Sequence, residues 1–208
     1  MFVGVVFRFM ATIFDDFLAA SDAAIGLLAS GEVTGRWGEP SACEGFTVGG
    51  LAAHLGWQVQ SAGWAVESEQ AAWIAADLDS PVNAGIRETG EKRAEAGPGE
   101  VLRHTREARA YLAKEFGSLT PQDVIAMPWI AGRAMTLGDV LATRVLELVI
   151  HGDDLAVSVG IETPLAPDSA YERVIGLLAP LAVRRHGPLA VLRALSRAER
   201  APESIAAL

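Results

Sequence analysis

Apolar residues recur at helical spacing through most of this chain, and the breaks between the repeats are sharp. Ile13, Phe14, Phe17, Leu18, Ala24, Ile25 and Leu28 predict a first helix over about 11–30. GEVTGRWGEPSACEG (31–45), rich in Gly and Pro, reads as a loop. A second helix is expected to open at Thr47 as N-cap and to run through LAAHLGWQVQSAGWAVES. Gly49 and Gly50 fall in its first turn, and no Glu or Gln follows at the capping-box position. Residues 77–98 are polar and interrupted by Pro81, Gly85, Gly90, Gly97 and Pro98, so they read as a mixed loop with some helix. A third helix is expected over about 99–117, with Val101, Leu102, Ala108, Leu112 and Phe116 inward. IAGRAMT suggests a small hairpin. A fourth helix is expected from Thr136, with Asp139 as a short version of the capping-box acid and Gly160 as the stop. A fifth covers about 167–183, and the rest of the chain reads as mixed.

Long helices with irregular connections predict an all-α fold, a four-helix bundle with a short C-terminal extension. The expected organisation is a disordered leader (1–10, with Met10 an equally good start), the bundle (11–183) and the extension (184–208).

The fourth helix departs from the pattern of a surface helix. At about 100° per residue, Thr143, Glu147, His151, Asp154 and Ser158 fall within an arc of roughly 80°. Apolar side chains fill the other directions, with Arg144 beside the arc and Asp153 on the far side. A narrow polar stripe on an apolar helix is expected to face the protein interior, because buried charges need partners. Glu147 and His151 are four residues apart, so they share a face and can converge on one ion. A third donor must come from another helix, and His54, among Leu51, Leu55 and Trp57, is the candidate. Three protein donors leave a position open, as catalytic metal sites do. Each part alone has a plainer reading: the pair as a local hydrogen bond, His54 as a half-buried histidine. Asp154 is placed to orient a ligand imidazole, and Asp153 is expected to face solvent. His104 and His186 lie in polar surroundings and are set aside.

Composition narrows the function. The 208 residues carry 17 Lys and Arg against 26 Asp and Glu, a formal net charge of −9, which argues against nucleic acid as a partner. The single cysteine, Cys43, excludes an internal disulfide and fits a reducing, cytoplasmic setting. With no basic residue near it in sequence, Cys43 reads as a packed, inert thiol. The apolar start of the chain lacks a basic region, is split by Arg8, and is shorter than the roughly 20 residues that span a bilayer. No membrane association is expected, and the protein is expected to be a monomer or homodimer.

Two stretches, PSACEGFTVGGLAAHLGW (40–57) and LELVIHGDDLAVSVG (146–160), resemble the metal-binding domain of mycothiol-dependent maleylpyruvate isomerase, in the DinB-like superfamily. Asn83 in DSPVNAGIRETG also stands where that family has it. The resemblance implies a divalent metal, usually zinc, on His54, Glu147 and His151, the same three residues the wheel suggested. It implies mycothiol as a thiol cosubstrate, activated at the metal and added to an electrophilic small molecule, by an isomerase or a thiol S-transferase. The alternative is a non-catalytic metal-binding helix bundle. Phe46 replaces the family's common Trp, Gly50 its usual Asp, and Asp153 a frequent Trp or Thr. The isomerase has a second, smaller domain that the residues after Arg184 are too few to form. Its substrate-gripping arginine has no assignable counterpart, and Arg87, Arg93 and Arg133 are the residues considered for an anionic substrate.

Overall fold

The computed structural model describes residues 11–67, 81–125 and 135–207. The chain is all-α: α1 (Ile13–Leu28), α2 (Gly31–Gly35), α3 (Val48–Glu67), α4 (Pro81–Ala94), α5 (Pro98–Glu115), α6 (Leu137–Val159), α7 (Asp168–His186) and α8 (Pro188–Ser196). One short antiparallel pair, β1 (Val124–Ile125) with β2 (Met135–Thr136), joins α5 to α6. The expected hairpin falls mostly on 130–134, outside the described residues, as does the leader 1–10.

Helices α1, α3, α5 and α6 pack around one apolar core. Phe17, Leu27, Leu51, Leu55, Leu112, Leu141 and Leu155 are fully buried there. Their spacing on each helix is the sequence periodicity made solid. Phe14 stacks on Phe116 at 4.4 Å between ring centroids, tying α1 to the end of α5. Thr136 caps α6 as expected: its hydroxyl accepts from the Asp139 amide (3.1 Å) and donates to the Asp139 carboxylate (2.7 Å). Gly160, at φ +71°, stops the helix.

Three expectations need correction. The loop at 31–45 begins with a single helical turn, α2, capped by the Ser30 hydroxyl. The stretch 77–98 contains a continuous helix, α4. Pro81 opens α4 at a position where a missing N–H costs nothing, and Gly90 serves a close crossing against α3. A Cβ on Gly90 would stand 2.7 Å from the Phe46 ring and 3.0 Å from the Gly50 carbonyl oxygen. The mixed tail contains a further helix, α8, packed on α7.

Helix α7 is tied to α1 by a buried charge. Asp16 of α1 is fully buried, accepting from the Ser169 hydroxyl (2.5 Å) and from Nε and Nη2 of Arg173 (3.1 and 2.9 Å). Among the described residues no helix is long and apolar enough to cross a membrane.

Candidate metal centre

The site forms where α3 crosses α6. Helix α3 starts at Thr47, whose hydroxyl accepts from the Gly50 amide at 2.9 Å. The acid that the sequence lacks at the capping-box position arrives from α4. Glu91 accepts from the Thr47 amide (2.7 Å) and the Thr47 hydroxyl (2.8 Å). A side chain on residue 50 would overlap that carboxylate. The replacement of Asp by Gly therefore does not strip the helix start of its negative charge; another helix supplies it.

Two turns into α3, His54 is buried and meets α6. Its Nε2 lies 3.2 Å from Glu147 Oε2, and His151 Nε2 lies 3.4 Å from the same oxygen. The two imidazoles stand edge to face, 5.1 Å between centroids. The facing donor atoms of His54, Glu147 and His151 all fall within 4.8 Å of one another. Two donors each about 2.0–2.1 Å from a tetrahedral ion stand about 3.3–3.4 Å apart. The observed 3.2 and 3.4 Å match that separation, so the donor set fits a divalent cation.

The polar stripe of α6 lies against α3 and the 40–46 loop. Asp154 Oδ2 sits 2.9 Å from His151 Nδ1 and fixes the imidazole with Nε2 toward Glu147. Ser158 accepts from the Ala42 amide at 2.7 Å and so holds the loop on α6. Thr143 is buried at the other end of the stripe. Asp153, on the far side, is exposed and accepts from the Thr163 hydroxyl.

Electrostatics follow from this packing. Burial alone would push the Glu147 carboxyl up, but hydrogen bonds from His151 and His54 hold it well below the usual carboxylate range. Burial pushes His54 down, against the opposing pull of Glu147. Burial also opposes charge on His151, yet its bonds to Asp154, Cys43 and Glu147 prevail and raise it well above the ordinary imidazole value. In the metal-free state the positive charge that Glu147 demands is thus a proton on His151.

One residue near the site escaped the sequence reading, and two others have neighbours that it did not show. Gln58, one turn beyond His54 on the same face, puts its amide nitrogen 2.9 Å from His54 Nε2. The i,i+4 spacing was a usable signal. Arg144 donates from Nη1 to Gln58 Oε1 (2.5 Å) and from Nε to the Thr143 hydroxyl (3.1 Å). Cys43, distant in sequence from any basic residue, lies beside His151 in space and with Asp154 makes a second compact donor group. Of the arginines considered for an anion, Arg93 stacks on the Trp57 ring at 3.8 Å, and Arg87 lies across the Gly45 turn. Arg133 is outside the described residues. His104 is exposed beside Arg103, and His186 bonds the Ala206 carbonyl.

Fold and site together define an all-α domain with two histidines and a glutamate gathered between two of its helices. The family model of the mycothiol maleylpyruvate isomerase N-terminal domain matches residues 17–156, and the chain belongs to that family. The matched span includes His54, Gln58, Arg144, Glu147 and His151. No curated protein and no solved structure matches the chain.

Proposed function

We propose that this protein holds a divalent metal, zinc in the first instance, through His54, Glu147 and His151, and uses it to activate a low-molecular-weight thiol, mycothiol. The reaction is transfer of that thiol to an electrophilic small molecule, or a thiol-assisted isomerisation of it. The observation that carries this reading is the convergence of both imidazole Nε2 atoms on one Glu147 oxygen, at tetrahedral donor spacing. Family membership supports the thiol. A divalent ion there supplies one piece of chemistry: a coordinating thiol loses its proton and becomes nucleophilic at neutral pH.

The chain's own residues do the rest. Asp154 keeps a proton on His151 Nδ1, which leaves the Nε2 lone pair for the ion. Glu147 stays ionised through the physiological range and offsets the charge of the cation. Burial keeps His54 neutral, and the Gln58 amide that now lies 2.9 Å from its Nε2 must turn aside for that nitrogen to take the ion. Phe46, its ring centroid 5.6 Å from that of His54, covers the imidazole and keeps water from one side.

The test uses untagged protein. Elemental analysis should give about one divalent ion per chain after zinc or cobalt reconstitution. Incubation with mycothiol and a panel of electrophiles, followed by mass spectrometry, should give adduct or isomerised product above the enzyme-free rate. Metal without turnover would instead mark a non-catalytic metal-binding module. Protein that stays metal-free after reconstitution would overturn the proposal.

A further inference from the structure

The cluster contains a cation that the metal reading does not use. Arg144 is half-buried on α6, one turn before Glu147 and two before His151. A guanidinium has five N–H donors. Two are occupied, by Gln58 Oε1 and the Thr143 hydroxyl, and both acceptors are neutral. Among the described residues no carboxylate lies within ion-pair distance of Arg144. Glu147 is near enough to be felt, but both histidines already contact its carboxylate. Both N–H groups of Nη2 and one of Nη1 have no hydrogen-bond partner among the described residues. Two other partly buried arginines of this chain are matched by acids. Arg173 has Asp16, and Arg109 meets Asp22 through two bonds of 2.7 Å. Arg144 is also held in place by its bonds to Gln58 Oε1 and the Thr143 hydroxyl. A fixed, partly desolvated guanidinium with a free fork suits a planar oxyanion, which it can bind through two parallel bonds.

We propose that Arg144 anchors a carboxylate of the small molecule that reacts at the adjacent His54–Glu147–His151 cluster, making it a specificity-determining residue. The bound carboxylate completes the guanidinium's hydrogen bonds. It also sets the distance between anchor and reacting carbon, about one to two helical turns along α6, which selects small, short-chain acids. The identity of the reacting molecule rests on the proposed function; anion binding by Arg144 does not.

The experiment therefore measures binding without turnover. Acetate, malonate and succinate are titrated into the full chain, each beside its neutral amide, with chloride as a control for simple ionic strength. The readout is the Nε–H resonance of Arg144 in the arginine region of the nitrogen–proton correlation spectrum, assigned by its loss in Arg144→Lys. At least one carboxylate should give a saturable shift that its amide and chloride do not. Its affinity, measured for the parent and both variants by isothermal titration calorimetry, should drop at least tenfold in Arg144→Gln and less in Arg144→Lys, which keeps the charge without the fork. Circular dichroism melts establish that each variant is folded. The titration is run on metal-free and reconstituted protein, with metal content measured separately. A protein that takes up metal but shows no carboxylate-specific shift overturns the Arg144 assignment alone. A protein that takes up no metal yet binds carboxylate overturns the metal reading alone. Equal binding by Arg144→Gln and the parent also overturns the assignment.

Discussion

Glu91 of α4 completes the N-terminal cap of α3 by accepting from both the amide and the hydroxyl of Thr47. The two residues are 44 positions apart, and the contact exists because residue 50 has no side chain in the way. Removing the carboxylate with Glu91→Ala should cost about 1–2 kcal/mol in urea unfolding. Gly50→Asp alone should also destabilise, by collision with Glu91. The double variant should recover part of both losses, since the new Asp then occupies the capping-box position. Losses that simply add would refute this account of the crossing.

The donor set makes a graded prediction. His54→Ala, Glu147→Ala and His151→Ala should each abolish stoichiometric metal retention after dialysis. Asp154→Asn should retain the ion but weaken it about 10–100-fold, because the imidazole loses its orienting acceptor. Competition against a chromogenic chelator ranks the four. If Asp154→Asn behaved as the three donor variants do, Asp154 would be a direct ligand and its assigned role would be wrong.

Acid and base should act on the metal-free protein in opposite ways. His151, raised above its ordinary value near 6.5, stabilises the fold fully below that pH. That contribution fades as pH rises through its folded value. Glu147, held low, stabilises above about pH 4.5, and this is lost as pH falls through its folded value. His54, lowered by burial, resists protonation, so it opposes folding increasingly as pH falls below about 6.5. His151→Gln should therefore flatten the decline in melting temperature on the alkaline side. Metal binding near neutral pH should release about one proton, from His151, while Glu147 and His54 release none. Calorimetry in two buffers of different ionisation enthalpy reads this directly.

The buried ion pair between α1 and α7 predicts a large, coupled effect. Asp16→Ala strands Arg173 and removes the Ser169 acceptor, and should cost about 3–5 kcal/mol. Arg173→Met should cost at least as much, because it leaves the fully buried Asp16 carboxylate with only the Ser169 hydroxyl, whereas Arg173 is 31 % exposed and can turn to water when Asp16 is removed. The double variant should be less destabilised than the sum of the singles.

Much of this architecture was legible in the pattern of apolar positions. Helices α1, α3, α5, α6 and α7 follow clean 3.6-residue repeats, and Thr47, Thr136 and Gly160 mark their ends. Helix α4 was hidden because its reason for being helical is not local. Gly90 and Gly50 look like breakers in one dimension and become a close crossing in three. The polar stripe of α6 located Glu147, His151 and Asp154 and correctly separated Asp153. It set Arg144 aside as an imperfection, because a wheel reports direction and cannot show that Gln58 reaches over from α3. The neighbour of Cys43 was hidden for the same reason: His151 lies 108 positions away. Asp16 gave no signal, since two adjacent acids, Asp15 and Asp16, early in an amphipathic helix look like ordinary first-turn charge.

The position of Asp16 bears on how this chain can be divided. The family match begins at residue 17 and ends at 156, so Asp16, Ser169 and Arg173 all lie just outside it. Expression limits drawn at the match would delete both halves of the clasp together. They would also strip α7 from α1 and α6, exposing apolar surface around Leu148 and Ile150 that α7 and its flanking loop now cover. The boundary of recognisable ancestry and the boundary of a stable polypeptide do not coincide here, and a minimal fragment carrying the candidate metal site should be cut no shorter than residues 12–186.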